Sequence, residues 1–350
     1  MEIPIILKEG KYTESDVLNL KERAEKEKDL IELQLAELFE IKNPEVVLQK
    51  NESEKSDSFI KSASAKGLLY GDWIFFPWSK LLVHCVPEKD YKEILTTRNK
   101  NIITQEEQEK LKKTTVAFAG LSVGSGIAIN LVHMGACDTM KLADFDTLDT
   151  SNLNRVKAGI PELGEKKMDI LARELFEVNP YLNIEAFKDG VNEENINQFV
   201  GGEQKTDIIF EIIDDFKMKV RLRIKAKELK TALIMLTNLG DSILVDVERH
   251  DVEGGTEIFN GKIGDVGEQI LAGEVSKEDE KKYAIGIVGM ENIPERVLSS
   301  VMQIGQTLVG RPQLASTVAI SSGIGAYFVK KIALEEELPS GRTLINFKNF

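Results

Sequence analysis

The sequence predicts an α/β fold of Rossmann-like type: a mainly parallel sheet with helices on both faces, plus a small α+β accessory region at the N-terminal side. Three observations carry this. An apolar, β-forming run, TVAFA from Thr115, enters the glycine-rich turn Gly120-Leu-Ser-Val-Gly-Ser-Gly126. A helix-like stretch then begins at Ser122 or Ser125, continues to about Met134, and is followed by a second apolar strand ending at Asp144. Helical and strand-like periods then alternate, with a helix at 165–178, a strand at 182–187, a helix at 192–199 and a strand at 207–213.

The order strand, tight turn, helix, strand matters because free backbone N–H groups and the positive end of a helix converge at such a turn and favour phosphate. The dinucleotide spacing G-x-G-x-x-G falls on Gly120, Ser122 and Ser125, so only one of its positions is glycine. Two readings follow: a turn displaced onto Gly124 and Gly126, or a tight βα turn with no ligand. Asp144 stands at a strand end, where a carboxylate can accept hydrogen bonds from a ribose.

The whole chain narrows the classes. Its 350 residues, 42% of them hydrophobic, suffice for a large core. A formal charge of −13, from 58 acidic against 45 basic residues, opposes a sequence-independent nucleic-acid binder but not a nucleotide held in a local basic pocket. Cys85 and Cys137 make neither a disulfide framework nor a four-cysteine zinc site. The opening MEIPIILKEGKY lacks the pattern of a secretory signal, and no apolar run approaches a membrane span, so a soluble, cytoplasmic protein is expected.

Residues 1–90 read as the accessory region and 91–350 as the main domain. Within the former, one long helix is expected over 13–42, capped by Thr13 with Asp16, its apolar stripe formed by Val17, Leu20, Ala24, Ile31, Leu35 and Leu38. The polar stretch 43–66 reads as a loop. Two or three short strands are expected around Trp73 and Trp78, with Pro77 at an edge and His84 structural. A capping box, Thr104 with Glu107, opens the helix that delivers the chain to the first main strand.

Beyond Asp144 the loop concentrates Asp146, Asp149, Asn152, Asn154, Arg155, Lys166 and Lys167 at the carboxyl end of a parallel strand, where open α/β sheets bind ligands. The strand DIIFEII leads to Asp214-Asp215 and a basic helical segment. Strands at 232–236 and 243–247 follow, then a Gly- and acid-rich crossing segment over 250–282 with a short helix. Helices at 295–309 and 312–333, the latter packed closely through Gly323 and Gly325, precede an edge strand in RTLINFKNF.

The run Asp144-Phe-Asp-Thr-Leu-Asp-Thr-Ser-Asn-Leu-Asn-Arg155, with Gly164-Glu-Lys-Lys167 and Asp214-Asp-Phe, resembles the ThiF/MoeB/HesA superfamily, which includes ubiquitin-activating enzymes. The similarity spans about Arg98 to Arg249. It implies ATP and Mg as cofactors, and activation of a carboxylate as an acyl-adenylate, usually the C-terminus of a ubiquitin-like or carrier protein. By the same resemblance, Gly120, Gly124 and Gly126 form the phosphate turn, and Asp144, with Asp146 beside it, belongs to the nucleotide-binding set as the ribose carboxylate. Asn152, Arg155 and Lys167 grip phosphates, Asp214 holds magnesium, and Arg98 reaches ATP, in some members from the other subunit of a dimer. A homodimer is therefore expected.

Elementary chemistry agrees with those roles. A carboxylate attacking phosphorus needs no general base; it needs phosphate charge neutralised and a metal held by oxygen, which Arg155, Lys167 and Asp214 supply. The departures are equally informative. The usual G-x-G-G-x-G is altered, paired Cys-x-x-Cys motifs are missing, and no cysteine follows Asp214. The chemistry should therefore stop at adenylation or pass the acyl group to an external acceptor, which makes a peptide precursor as good a substrate as a carrier protein. Two other classes stay open: a non-catalytic nucleotide-binding scaffold or regulatory partner, and an NAD-dependent oxidoreductase, for which the Arg155–Lys167 cluster has no evident use.

Overall fold

The computed structural model describes residues 1–48, 53–264, 266–273 and 276–347. Its chain divides into two compact units, one of residues 1–108, 133–135 and 172–182, the other of 109–132, 136–171 and 183 onward. No described helix is long and apolar enough to cross a membrane.

The first unit contains β1 (Ile5–Leu7), α1 (Glu14–Arg23), β2 (Lys26–Asp29), α2 (Ile31–Lys42), α3 (Ser53–Ser64), β3 (Asp72–Phe76), β4 (Leu81–Cys85) and α4 (Glu88–Leu95). Its four-stranded sheet has the order β1-β3-β4-β2. Thr13 caps α1 through the expected reciprocal box with Asp16. The single helix expected over 13–42 is instead broken, because Lys26–Asp29 carries four charged side chains and nothing to continue the apolar stripe. Ala24 turns extended, and the segment pairs in parallel with β4. The polar stretch expected as a loop also contains a helix, α3, whose Phe59, Ile60 and Ala63 pack on Ile31, Leu35 and Leu38 of α2; residues 49–52 of that stretch lie outside the described residues. A three- and four-residue apolar spacing inside a polar composition is a weak signal, and packing on α2 makes it a helix.

Trp73 is buried among Val17, Leu20, Phe75 and Leu82. His84 stacks on its ring at 4.0 Å, with one ring nitrogen 2.7 Å from the Tyr70 carbonyl oxygen and the other 3.1 Å from Asp29 Oδ2. That environment agrees with a structural histidine.

The helix α5 (Gln105–Lys113), opened by the Thr104–Glu107 box, leads into β5 (Thr115–Ala119), α6 (Gly124–His133) and β6 (Thr139–Ala143). There follow α7 (Lys167–Val178), β7 (Asn183–Phe187), α8 (Ile196–Val200), β8 (Ile208–Glu211), α9 (Phe216–Glu228), β9 (Ala232–Asn238) and β10 (Ser242–Arg249). The chain ends with α10 (Val266–Ala272), α11 (Lys277–Val288), α12 (Glu295–Met302), α13 (Ala315–Ala333) and β11 (Gly341–Asn346). The seven strands of the second unit lie in the order β11-β10-β9-β8-β5-β6-β7. Five are parallel; β10 runs antiparallel to both β9 and β11, and β11 is the expected edge strand.

The two faces of β5 are read from its alternation. Ala117 and Ala119 pack with Phe199 and Val200 of α8 and Leu222 of α9, while Phe118 lies against α6 at Gly124 and stacks on Phe210. Every residue of β5 is buried, as a strand covered on both sides requires. The helix expected over 295–309 stops at Met302, and Gly305 takes φ +82 in the turns that follow. The helix expected over 312–333 begins instead at Ala315, with Leu314 extended before it.

Two glycines let α6 and α13 touch. A Cβ on Gly126 would sit 2.3 Å from Ser322 Oγ, and one on Gly325 would sit 2.8 Å from Ile127 Cδ1; Gly323, also expected to allow close packing, has nothing within 4 Å. Gly126→Ala should therefore destabilise the protein by roughly 1–3 kcal/mol through overpacking. In urea unfolding, Ser322→Ala in the same chain should recover part of that loss, a coupling on the order of 1 kcal/mol, because it removes the clashing hydroxyl.

Candidate active site

Strands β5, β6 and β7 extend the sheet in one direction, and β8 and β9 in the other. The carboxyl ends of β5 and β8 thus flank the topological switch point, where such sheets leave a crevice. Gly120 leaves β5 with φ +96, and a Cβ there would stand 2.3 Å from the Ile212 carbonyl oxygen. Only glycine fits both the left-handed backbone and that approach. Ile212 N–H in turn donates to Ala119 O at 2.8 Å, so the chain leaving β8 is fastened beside the turn.

Asp144, just past β6, is buried and holds two loops at once. Oδ2 accepts from Leu121 N–H at 2.7 Å and Oδ1 from Asp146 N–H at 2.8 Å. Burial raises its pKa; the two backbone donors and Lys167 oppose that rise without cancelling it.

The loop after Asp144 has a small core of its own, in which Leu148, Val156 and Ile170 pack with Leu153, Ala158 and Leu163. Asn152 organises it: its Oδ1 accepts from Asp149 N–H, and its carbonyl oxygen accepts from Arg155 N–H and Val156 N–H. So supported, Arg155 extends to the glycine turn, where Nε donates to Ser122 Oγ at 3.2 Å and Nη1 to Asn154 Oδ1 at 2.9 Å. Burial pulls its pKa down from the usual arginine value, although a guanidinium stays charged. Lys167, at the start of α7, is nearly enclosed and places Nζ 2.8 Å from Asp146 Oδ2.

Gly120, Asp144, Asp146, Asn152, Arg155 and Lys167 therefore belong to one strand-end cluster. Gly124 and Gly126 do not turn the chain; they lie in the first turn of α6, Gly124 against Phe118 and Gly126 against Ser322. Asp214 follows Ile213 at the neighbouring strand end, largely exposed, its carboxylate paired with Arg311. Asp215 accepts from Met218 N–H and caps α9. Arg98 is exposed on a 3-10 turn, Thr97–Asn99, in the first unit. Among the described residues no three His, Cys, Asp or Glu side chains gather as a metal cluster.

Sequence reasoning missed the buried ionic network behind the site. Arg223 donates from Nη1 to Glu211 Oε2 at 2.5 Å and from Nε to Glu248 Oε1 at 2.7 Å, while Lys219 Nζ lies 2.7 Å from Glu211 Oε1. Glu211 also accepts from Ile213 N–H at 3.2 Å, which steadies the turn leading to Asp214. The available signal was a lone glutamate in DIIFEII followed by Lys219 and Arg223 on one helical face. Arg311 had no distinguishing pattern.

Fold and cluster together define the class: a doubly wound, Rossmann-like α/β domain with two cations at its switch point. The ThiF family matches residues 96–339, more than half of the chain, and the chain belongs to that family. The uncharacterized protein MT1398 of Mycobacterium tuberculosis is 36% identical over 274 residues, covering 78% of this chain and 38% of that protein. The tRNA threonylcarbamoyladenosine dehydratase of Bacillus subtilis is 28% identical over 158 residues, 45% of this chain and 60% of that one. The molybdopterin-synthase adenylyltransferase of Haemophilus influenzae is 27% identical over 128 residues, 36% of this chain and 51% of that one. The chain thus spans less than two thirds of each of these relatives. Among solved structures, PaaA superposes with a TM-score of 0.53 at 20% identity, covering 75% of this chain and 78% of that one. Escherichia coli MccB with ATP gives a TM-score of 0.51 at 17% identity, covering 85% and 77%. These likenesses are of fold.

Burial pushes the Glu211 pKa up, but Lys219 and Arg223 outweigh it and hold the carboxyl below its ordinary value of 4.5. With the folded pKa depressed, its stabilising contribution is complete above the unfolded pKa and is lost as pH falls through the folded one. Glu211→Gln should cost roughly 3–5 kcal/mol near neutral pH, because Lys219 loses its paired carboxylate and buried Arg223 is left with Glu248 alone. Urea titrations at descending pH should show the variant and the parent converging below the carboxylate range.

Proposed function

We propose that this protein adenylates a carboxylate with ATP, as the ThiF family membership and the names of its adenylyltransferase relatives suggest. The observation that carries the reading is the delivery of Arg155 and Lys167 to the turn and carboxylate at the switch point. In this reading each Asp144 oxygen keeps a second lone pair for a ribose hydroxyl, while its first holds the Leu121 or Asp146 amide. Arg155 exchanges Ser122 and Asn154 for phosphate oxygens, which its planar fork suits, and Lys167 exchanges Asp146 for the same charge. Asn152 keeps the loop in register, and Gly120 lets backbone approach the nucleotide.

Asp214 is an exposed, hard oxygen donor paired here with Arg311, and a single carboxylate suits magnesium, an ion that retains waters and phosphate oxygens rather than filling a protein cage. Asp214 would hold the ion once its pairing with Arg311 opens, and bound magnesium would supply neutralisation of phosphate charge. The incoming carboxylate belongs to the C-terminus of a small ubiquitin-like or carrier protein, or to a peptide precursor. Neither cysteine suits a thioester: both are buried, burial drives the Cys85 thiol up to about 12, and it raises Cys137 as well. The adenylate is therefore handed to an external acceptor. Arg98, exposed on its 3-10 turn, is assigned to nucleotide contact within a homodimer.

Isothermal calorimetry tests the nucleotide half of this reading without the acyl substrate. ATP should bind, and bind more tightly with Mg²⁺; Arg155→Ala should weaken it by roughly 10- to 100-fold, the scale of a lost hydrogen bond to charge. Asp214→Asn should remove the magnesium dependence while leaving the unfolding transition in place. Binding of NADH in preference to ATP would overturn the proposal, as would ATP binding indifferent to both substitutions.

A further inference from the structure

The chain returns to the switch point late, just ahead of its last long helix. α13 is fixed within the second unit by Thr317, whose Oγ1 donates to the Gly240 carbonyl oxygen at 2.6 Å, and by the approach of Gly325 to Ile127. Four residues before Thr317, the Gln313 carbonyl oxygen accepts from Asn154 Nδ2 at 2.9 Å; two residues earlier again, Arg311 Nη2 donates to Asp214 Oδ1. Residues 311–313 thus hold both loops of the site, the one after β6 through Asn154 and the one after β8 through Asp214. Asn154 Oδ1 accepts from Arg155, which itself reaches Ser122 of the glycine turn, so the contacts run unbroken from this segment to the turn.

The two tethers differ in strength. The Arg311 and Asp214 side chains are 56% and 86% exposed, and an ion pair so open to water is weak and easily exchanged. The backbone, in contrast, is held at Gln313, and the ring of Pro312 fixes φ between that anchor and Arg311. The guanidinium can therefore leave Asp214 while its backbone stays at the crevice. A triphosphate offers several anionic oxygens to its planar fork, and charge-assisted, two-point contacts of that kind are strong.

We propose that Arg311 contacts the phosphates of the bound nucleotide, passing to them from Asp214, with the Asn154–Gln313 hydrogen bond keeping its backbone in place. The inference rests on the nucleotide reading above and adds a third cation to Arg155 and Lys167. In the exchange Asn154 gives up Arg155 at Oδ1 but keeps Gln313 at Nδ2, so the segment stays put as phosphate enters. A plug that merely blocks Asp214 would have the opposite signature, since removing it would tighten nucleotide binding.

Calorimetry on the full chain with ATP and Mg²⁺, and displacement of that ATP by adenosine, separates these roles. Arg311→Ala should weaken ATP binding by at least about tenfold, the scale of a hydrogen bond between charged groups, and should change adenosine affinity by less than about twofold. Arg311→Lys should fall between the parent and the alanine variant, because an ammonium keeps the charge but not the fork. Both variants should unfold at the parent's urea midpoint, as the side chain is exposed. Unchanged ATP binding in Arg311→Ala, with Arg155→Ala still weakening it, would overturn the assignment of Arg311 alone. Tighter binding would overturn it in favour of the plug, and equal losses for ATP and adenosine would reduce Arg311 to a support of the site's shape. Failure of the parent chain to bind ATP would overturn the nucleotide reading and this inference with it.

Discussion

The close passage of two chain segments at the switch point governs the architecture of the second unit. Gly120 leaves β5 in a left-handed conformation with its α-carbon almost against the Ile212 carbonyl, while Ile212 N–H is bonded to Ala119 O. Because β5 and β8 are welded there, the loops that follow each strand open side by side. Asp144, one strand over, then joins the turn to its own loop by accepting Leu121 and Asp146 amides. Removing the glycine's freedom would displace both strand ends and everything mounted on them.

Behind this junction the protein retains charges where apolar residues would normally lie. Glu211, Arg223 and Glu248 are wholly buried, with Lys219 and His250 closing the network and the Arg223 guanidinium lying 3.7 Å from the Phe259 ring centre. Such an arrangement is weak evidence for stability, since hydrophobic residues often do as well. It does fix orientation: Glu211 ties β8, α9 and the Ile213 amide together immediately before Asp214. Lys141 plays a comparable role on β6, where Nζ donates at 2.8 Å to the Gln198 and Gly201 carbonyls at the end of α8. The cation satisfies orphan helix carbonyls inside the core.

The first unit is organised by different means. Trp73 stacked on His84 lies beside the helix α1 core, and an edge strand of four charged residues is held by main-chain pairing with β4. Main-chain hydrogen bonds therefore fix Lys26–Asp29 where side-chain pattern pointed to continued helix. Hydrophobic periodicity describes what a segment buries, and a strand that buries nothing leaves no trace in it.

Much of the second unit was legible because its elements are specified locally. Strands covered on both faces are largely apolar, helices must return apolar residues every three or four positions, and Gly120 marks where β5 ends. The strand-end loop was legible for the same reason: its acidic and basic residues are contiguous in the chain. Tertiary structure alone decided which groups meet. It sent Gly126 to a helix–helix contact, paired Arg311 with Asp214 across 97 positions, and turned Glu211 inward onto Arg223. Sequence fixes the period and chemistry of a segment, whereas a contact between distant residues exists only once packing has chosen the faces that touch.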